Sequence, residues 1–360
     1  MMNNAVLSLI EFVLALSILL GLHELGHFLV GKIFKINAEE FGFGFPPKLV
    51  KLFSWDGTDF TLNLIPFGAF VRFSGENDPE IPSGLAAANK WKRLATLLAG
   101  SGTNIITGIL LFGIVFSQIG MPVANIVNIS SIAQASPAEA AGIIPGDTIV
   151  SVANVDIKDI LEVSEIVNQN LGKEILIEII REDQLLILNL TPRSNPPAGE
   201  GPLGIVMQNP VEKIGFLRAI PYGGKVAMEQ FRQLLSLPFM MLRGQVQSEE
   251  MRLLSPKGIY DVYSQVREDE REEEQTQPGL AFINIAWFFG IISIAIGFSN
   301  LLPIPALDGG RILFVLPEIF FGKRVPAKFE NMVHFIGFTA LIFLMVYVLY
   351  QDFVNPIVLP

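Results

Sequence analysis

The sequence contains no cysteine. That excludes a disulfide framework, thiolate catalysis and any metal site built on sulfur. A bound metal would have to be held by histidine, aspartate or glutamate. Charge is scarce as well. Asp, Glu, Lys and Arg make up 17% of the 360 residues, against roughly 25% in soluble domains. Histidine occurs only three times. The net charge of −10 argues against a nucleic-acid partner, which needs a basic patch.

Apolar residues are what the chain has in excess: 51% of the sequence, with a mean hydropathy of +0.48. A bilayer crossing takes roughly 20 apolar residues. Four stretches qualify, from about Ala5 to Leu29, Leu94 to Ile119, Phe282 to Leu302 and Val333 to Tyr350. The second and third contain no Asp, Glu, Lys or Arg. The first does not read as a cleaved signal peptide, because no Lys or Arg precedes Lys32 and no small-residue cleavage site follows.

Basic residues set the expected orientation. Lys32, Lys35, Lys48, Lys51, Arg72, Lys90, Lys92 and Arg93 lie between the first two stretches; Arg311, Lys323, Arg324 and Lys328 lie between the last two. Both segments are expected on the cytoplasmic side. The long segment from about Gly120 to Ala281, and both chain ends, are then expected outside. The run Arg267–Glu274 within that segment reads as a solvated linker.

The strongest chemical signal is His23-Glu24-Leu25-Gly26-His27. Positions i and i+4 of a helix share one face, so two imidazoles can bind one zinc with Glu24 beside it as general base. Ionisable groups inside an apolar span are expensive and functional by default. A catalytic zinc wants a third protein ligand and an open position for water. The candidate is Asp308, in Asn300-Leu-Leu-Pro303-Ile-Pro305-Ala-Leu-Asp308-Gly309-Gly310 at the end of the third stretch. The two prolines break the helix, and broken backbone at membrane depth is tolerated where it is buried in protein or lines a wet cavity. Zinc lowers the pKa of bound water toward about 7, and Glu24 would accept its proton. The remaining histidine, His334, stands alone at the start of the fourth stretch and reads as structural rather than as a ligand.

With these residues in view, the chain resembles the site-two proteases, and among them the bacterial RseP-like branch. HELGH and NLLPIPALDGG carry the resemblance. Phe41–Leu49 (FGFGFPPKL), Asn63–Glu76 (NLIPFGAFVRFSGE) and Gly100–Asn104 (GSGTN, with Ser101 where Pro is usual) extend it over nearly the whole chain. The resemblance implies zinc held by His23, His27 and Asp308, Glu24 as base, and a substrate site formed by Asn104, Asn300, Pro303 and Pro305. It also implies regulated intramembrane proteolysis of single-pass membrane proteins in a bacterial plasma membrane. Phe60–Ser74 is rich in β-forming residues and is interrupted at Pro66-Phe67-Gly68, which predicts a short hairpin. A strand there, with Phe70 and Val71, could hold an unwound substrate segment by strand addition.

Between the second and third stretches the pattern changes to short strands. Thr148–Val152, Ile175–Arg181 and Leu185–Leu190 read as strands, and about Ile160–Gln169 as a helix. With the turn Ala141-Gly142-Ile-Ile-Pro145-Gly146-Asp147, this resembles a protease-associated PDZ domain, which implies a peptide ligand. Asn195–Gly204 reads as a Pro/Gly linker, and about Gly224–Arg243 as a helix at the membrane surface. The expected fold is therefore a multi-pass α-helical membrane protein of about four spans, with a small membrane-embedded β-hairpin and an inserted extracytoplasmic PDZ-like α+β domain. The expected divisions are 1–119, 120–195, 196–281 and 282–360. Two rival readings are a non-catalytic membrane adaptor presenting the PDZ-like module and a transporter built on broken helices. Intact HELGH and Asp308 argue against the first. The lack of an inverted repeat argues against the second.

Overall fold

The computed structural model describes residues 4–123, 126–197, 199–244, 253–276 and 282–356. The extreme chain ends and parts of 196–281 fall outside the described residues. The chain divides into two compact units, one made of Met1–Gln118 with Phe216–Pro360, the other of Ile119–Gly215.

The first unit begins with helix α1 (Asn4–Ile33), strands β1 (Ala38–Trp55) and β2 (Thr58–Phe73), and helix α2 (Lys90–Ile119). The second unit follows with β3 (Met121–Pro122), β4 (Val127–Ile132), α3 (Pro137–Ala140), β5 (Thr148–Val152), β6 (Val155–Asp156), α4 (Ile160–Gln169), β7 (Ile175–Arg181), β8 (Gln184–Leu190), β9 (Ile205–Gln208) and β10 (Val211–Glu212). The chain returns to the first unit with α5 (Phe216–Leu242), α6 (Pro256–Thr276), α7 (Ile283–Asn300), α8 (Asp308–Phe321) and α9 (Ala327–Val354).

Among the described residues, four helices are long and apolar enough to cross a membrane: Ala5–Ile33, Lys90–Ile119, Ile283–Asn300 and Ala327–Val354. They coincide with the four expected stretches. Much of their apolar surface is uncovered by protein. Leu14, Ile18, Ile106, Phe335, Phe343 and Val346 are all more than half exposed, as lipid-facing side chains must be when the surrounding solvent is hydrocarbon.

The hairpin is larger than the sequence suggests. Its turn is at Asp56-Gly57, between the paired residues Trp55 and Thr58, not at Pro66-Phe67-Gly68. Both turn residues have positive φ, +47° and +75°, the geometry that lets a two-residue loop match the twist of its strands. The start of β1 is flanked by β2 on both sides: Phe41 pairs with Phe60 and Val71, and Gly42 with Thr61 and Phe70. The ribbon thus folds back on itself and packs on α1 through Phe28, Ile36, Phe41, Ala69 and Phe73. The end of β2 turns backbone N–H groups toward α1. Gly68 donates to Ser17 Oγ at 3.0 Å, and Val71 donates to Glu24 Oε2 at 3.1 Å.

The acidic run expected as a solvated linker is instead part of α6. Ile259, Tyr260, Val262, Tyr263 and Val266 repeat at helical spacing and pack with Phe12 and Leu16 of α1 and Phe288 and Phe289 of α7. Arg267 Nε donates to Glu11 Oε2 at 3.1 Å, and Glu270 is 2% exposed beside it. The far end of α6 is tied to α9: Ser255 donates to Asp352 Oδ2 from its amide at 2.8 Å and from its hydroxyl at 2.5 Å.

The second unit holds a sheet in the order β8-β7-β5-β4-β9, with β6 on β5. Its core joins Val127, Ile129, Ile149, Val152, Ile177 and Ile179 of the strands to Val163 and Val167 of α4. Burying each such side chain is worth roughly 1.5–3 kcal/mol. Asp159 caps α4 by accepting from the Glu162 amide at 2.9 Å, while Glu162 Oε2 accepts from the Lys158 amide just before the cap at 2.8 Å. Because β9 pairs with β4, the sheet continues beyond the Pro/Gly stretch at Asn195–Gly204.

Candidate active site

His23, Glu24 and His27 lie in the second half of α1, and Asp308 opens α8. The loop Leu301–Leu307 between α7 and α8 carries Asp308 back toward α1. Nε2 of His23 and Nε2 of His27 are 3.2 Å apart, and each lies 3.2 Å from Asp308 Oδ2. Both histidines are buried. His27 Nδ1 donates to the Thr96 carbonyl of α2 at 2.7 Å, so its ring proton is committed and its Nε2 lone pair faces the other two donors. Asp308 Oδ2 has no hydrogen-bond donor of its own.

Three electron-pair donors converging in a buried space repel one another unless a cation lies among them. Tetrahedral zinc with ligands about 2.0–2.1 Å away separates them by about 3.3 Å. The observed 3.2 Å triangle matches that requirement, and the donor set, two nitrogens and one oxygen, is one that zinc accepts. Two imidazoles and a carboxylate leave the fourth position to water or substrate.

Helix α2 is shaped around the site. A Cβ on Gly100 would lie 2.2 Å from His27 Nε2, so only glycine leaves room for the imidazole. Asn104 is fully buried with its side-chain amide 3.5 Å from His23 Nδ1. Its carbonyl oxygen Oδ1 has no partner, and its backbone carbonyl accepts from Ser293 Oγ of α7 at 2.8 Å.

A cavity of about 170 Å³ opens beside these residues and is lined by Glu24, His27, Phe70, Val71, Asp308 and Arg311, among others. The expected base, two of the expected ligands and the expected strand residues thus share one space. Arg311 pairs with Glu76 at its wall. The other expected substrate residues lie elsewhere. Asn104 sits behind His23. Asn300 closes α7, its amide donating to Ile296 O at 3.1 Å. Pro303 is exposed, and Pro305 packs against Gly337 of α9. His334 is not among the converging donors. The sequence reading missed Thr96, which acts through a backbone carbonyl and so leaves no side-chain signature, and Gly100, whose role shows only when His27 is placed against it.

Two histidines and a glutamate on a helix of bilayer length, met by an aspartate from the start of the shorter α8, are the arrangement of a membrane-embedded metallopeptidase. The model of peptidase family M50 matches residues 11–344. The chain belongs to peptidase family M50.

Full-length relatives agree. A protein of Clostridium perfringens is 30% identical over 348 residues, covering 96% of this chain and 98% of its own length. One of Brucella suis is 29% identical over 374 residues, covering 96% and 94%. One of Clostridium acetobutylicum is 28% identical over 346 residues, covering 96% and 97%. Each bears the name "Putative zinc metalloprotease".

Proposed function

We propose that this zinc metalloprotease cleaves single-pass membrane proteins within or near their transmembrane segments, as a site-two protease in regulated intramembrane proteolysis. Anti-sigma factors and remnant signal peptides are the substrate types the reading favours. The observation that carries it is the 3.2 Å triangle of His23, His27 and Asp308 donors beside Glu24, with all four residues at or next to apolar spans.

His23, His27 and Asp308 would hold the zinc. Bound there, the ion supplies Lewis acidity and makes water available as a nucleophile near neutral pH. Glu24 takes the proton from the attacking water and returns it to the departing amine. The Val71 amide keeps the Glu24 carboxylate turned into the cavity. Asn104 serves His23: its Nδ2 stands 3.5 Å from His23 Nδ1, and with the amide turned over its unpartnered Oδ1 accepts the Nδ1 proton, fixing the tautomer that leaves Nε2 free. An α-helical substrate hides its carbonyls in its own hydrogen bonds. The end of β2, including Phe70 and Val71, borders the cavity and offers an extended template for an unwound segment.

The second unit is proposed as the PDZ-like module of the RseP-like branch, outside the cytoplasm of a bacterium, with an extended peptide as its ligand. The basic residues of 32–93 and 311–328 keep those segments on the cytoplasmic side.

Co-expression of a model single-pass substrate with the wild type and with Glu24→Gln tests the function. Product from the wild type alone is expected. No product across a panel of transmembrane segments, with zinc bound, would favour the non-catalytic adaptor.

A further inference from the structure

The third histidine has no part in the chemistry above, yet it is an ionisable side chain inside α9, a span where such groups are costly and mark function. His334 Nδ1 accepts a hydrogen bond from the Ala306 amide at 2.9 Å. Ala306 stands two residues before Asp308, in the loop that returns the carboxylate to the histidines. Its φ is +81°, a left-handed conformation that a residue with a Cβ resists. Something outside the loop must hold it there.

The surroundings of His334 are specific to that contact. Its ring lies 5.4 Å from that of Phe314 in α8, centroid to centroid. One turn further along α9, Gly337 lets the helix approach so closely that a Cβ there would lie 2.3 Å from Pro305 Cβ. The prolines and the tight approach press the loop onto α9, and the imidazole supplies the one acceptor that meets the Ala306 amide. Accepting at Nδ1 puts the proton of a neutral ring on Nε2, so the tautomer is set by the loop. Metal-site geometry depends on such outer contacts nearly as much as on the ligands.

We propose that His334 is a positioning residue for the metal centre: through the Ala306 amide it holds the left-handed turn that delivers Asp308 to His23 and His27. The inference rests on the reading of Asp308 as a ligand. It predicts that loss of the acceptor loosens the third ligand while leaving the α1 histidines in place.

The test is a titration of the purified full-length apo protein in detergent with cobalt(II), followed by its visible ligand-field absorption and by competition with a chelator. His334→Leu is expected to weaken cobalt binding by about 10-fold or more and to alter the tetrahedral absorption band. His334→Asn, whose Oδ1 can stand where Nδ1 stood, is expected to restore both. Ala306→Gly removes the strain and is expected to reduce the effect of His334→Leu when the two are combined, a coupling that mere packing of α9 would not produce. Asp308→Ala is the control. If it weakens cobalt binding and His334→Leu does not, the positioning inference falls while the ligand assignment stands. If Asp308→Ala leaves binding and spectrum unchanged, the ligand assignment falls and takes the inference with it. Failure of His334→Asn to restore the spectrum of a folded protein would also overturn it.

Discussion

Gly100 and His27 meet at the candidate metal site: a methyl group on Gly100 would stand 2.2 Å from His27 Nε2. The ring cannot retreat, because its other nitrogen is bonded to Thr96 O at 2.7 Å. Gly100→Ala is therefore expected to lower zinc affinity by at least the 10–100-fold typical of lost outer contacts. Elemental analysis of purified protein measures it, and full zinc occupancy in the variant would refute the placement of His27.

Glu24→Gln keeps the size and most of the hydrogen-bonding shape of the side chain but cannot accept a proton. Zinc content and thermal stability should stay close to wild type while turnover falls by about 10²–10⁴-fold. Cleavage at the wild-type rate would remove Glu24 from the role of base.

Asn104→Leu is close to isosteric and deletes the partner of His23 Nδ1. Zinc affinity should fall about 10–100-fold with α2 intact by circular dichroism. Unchanged affinity alongside a raised KM would return Asn104 to the substrate site.

Arg181 grips Asp147 with two hydrogen bonds of 2.7 Å and reaches the Gly142 carbonyl at 2.8 Å. Burial pushes the Asp147 carboxyl up, but Arg181 and the Ile144 amide outweigh it and hold the carboxyl below its usual value. A depressed folded pKa contributes stability that is complete above the unfolded value of about 3.9 and is lost as pH falls through the folded value. Amides of β5 and β7 in the full-length protein should lose hydrogen-exchange protection below about pH 4. Arg181→Leu leaves the Asp147 carboxylate without its cation and should lower exchange protection of the sheet near neutral pH. A variant with wild-type protection at neutral pH would count against the pair as a support of the sheet.

The candidate metal-site residues stood out in the sequence because each breaks a pattern. HELGH puts three ionisable groups into an apolar run, and the prolines before Asp308 interrupt another. Helix α4 was legible as the stretch Ile160–Gln169. The hairpin was not. Pro46-Pro47 lies inside β1, where proline usually argues against a strand, and the Asp56-Gly57 turn was passed over in favour of Pro66-Phe67-Gly68. Helix α6 was hidden by the charges of 267–274. A linker reading weighs such residues by number, whereas the fold uses the positions of Tyr263, Arg267 and Glu270, which face α1 and α7. Asn104 was seen, but its direction was not, because a motif marks a residue without saying which neighbour it turns to.

The proposed site draws its parts from elements far apart in sequence: the proposed base and two ligands from α1, the proposed third ligand from the start of α8. Synthesis delivers them in that order. A nascent chain whose first span is already inserted carries Glu24, His23 and His27 but lacks Asp308 until α2, the second unit and α5–α7 have been made. On the roles proposed above, the enzyme is inert throughout its own biogenesis. On those roles, a translation product that stops before α8 carries the two histidines and Glu24 without the third ligand.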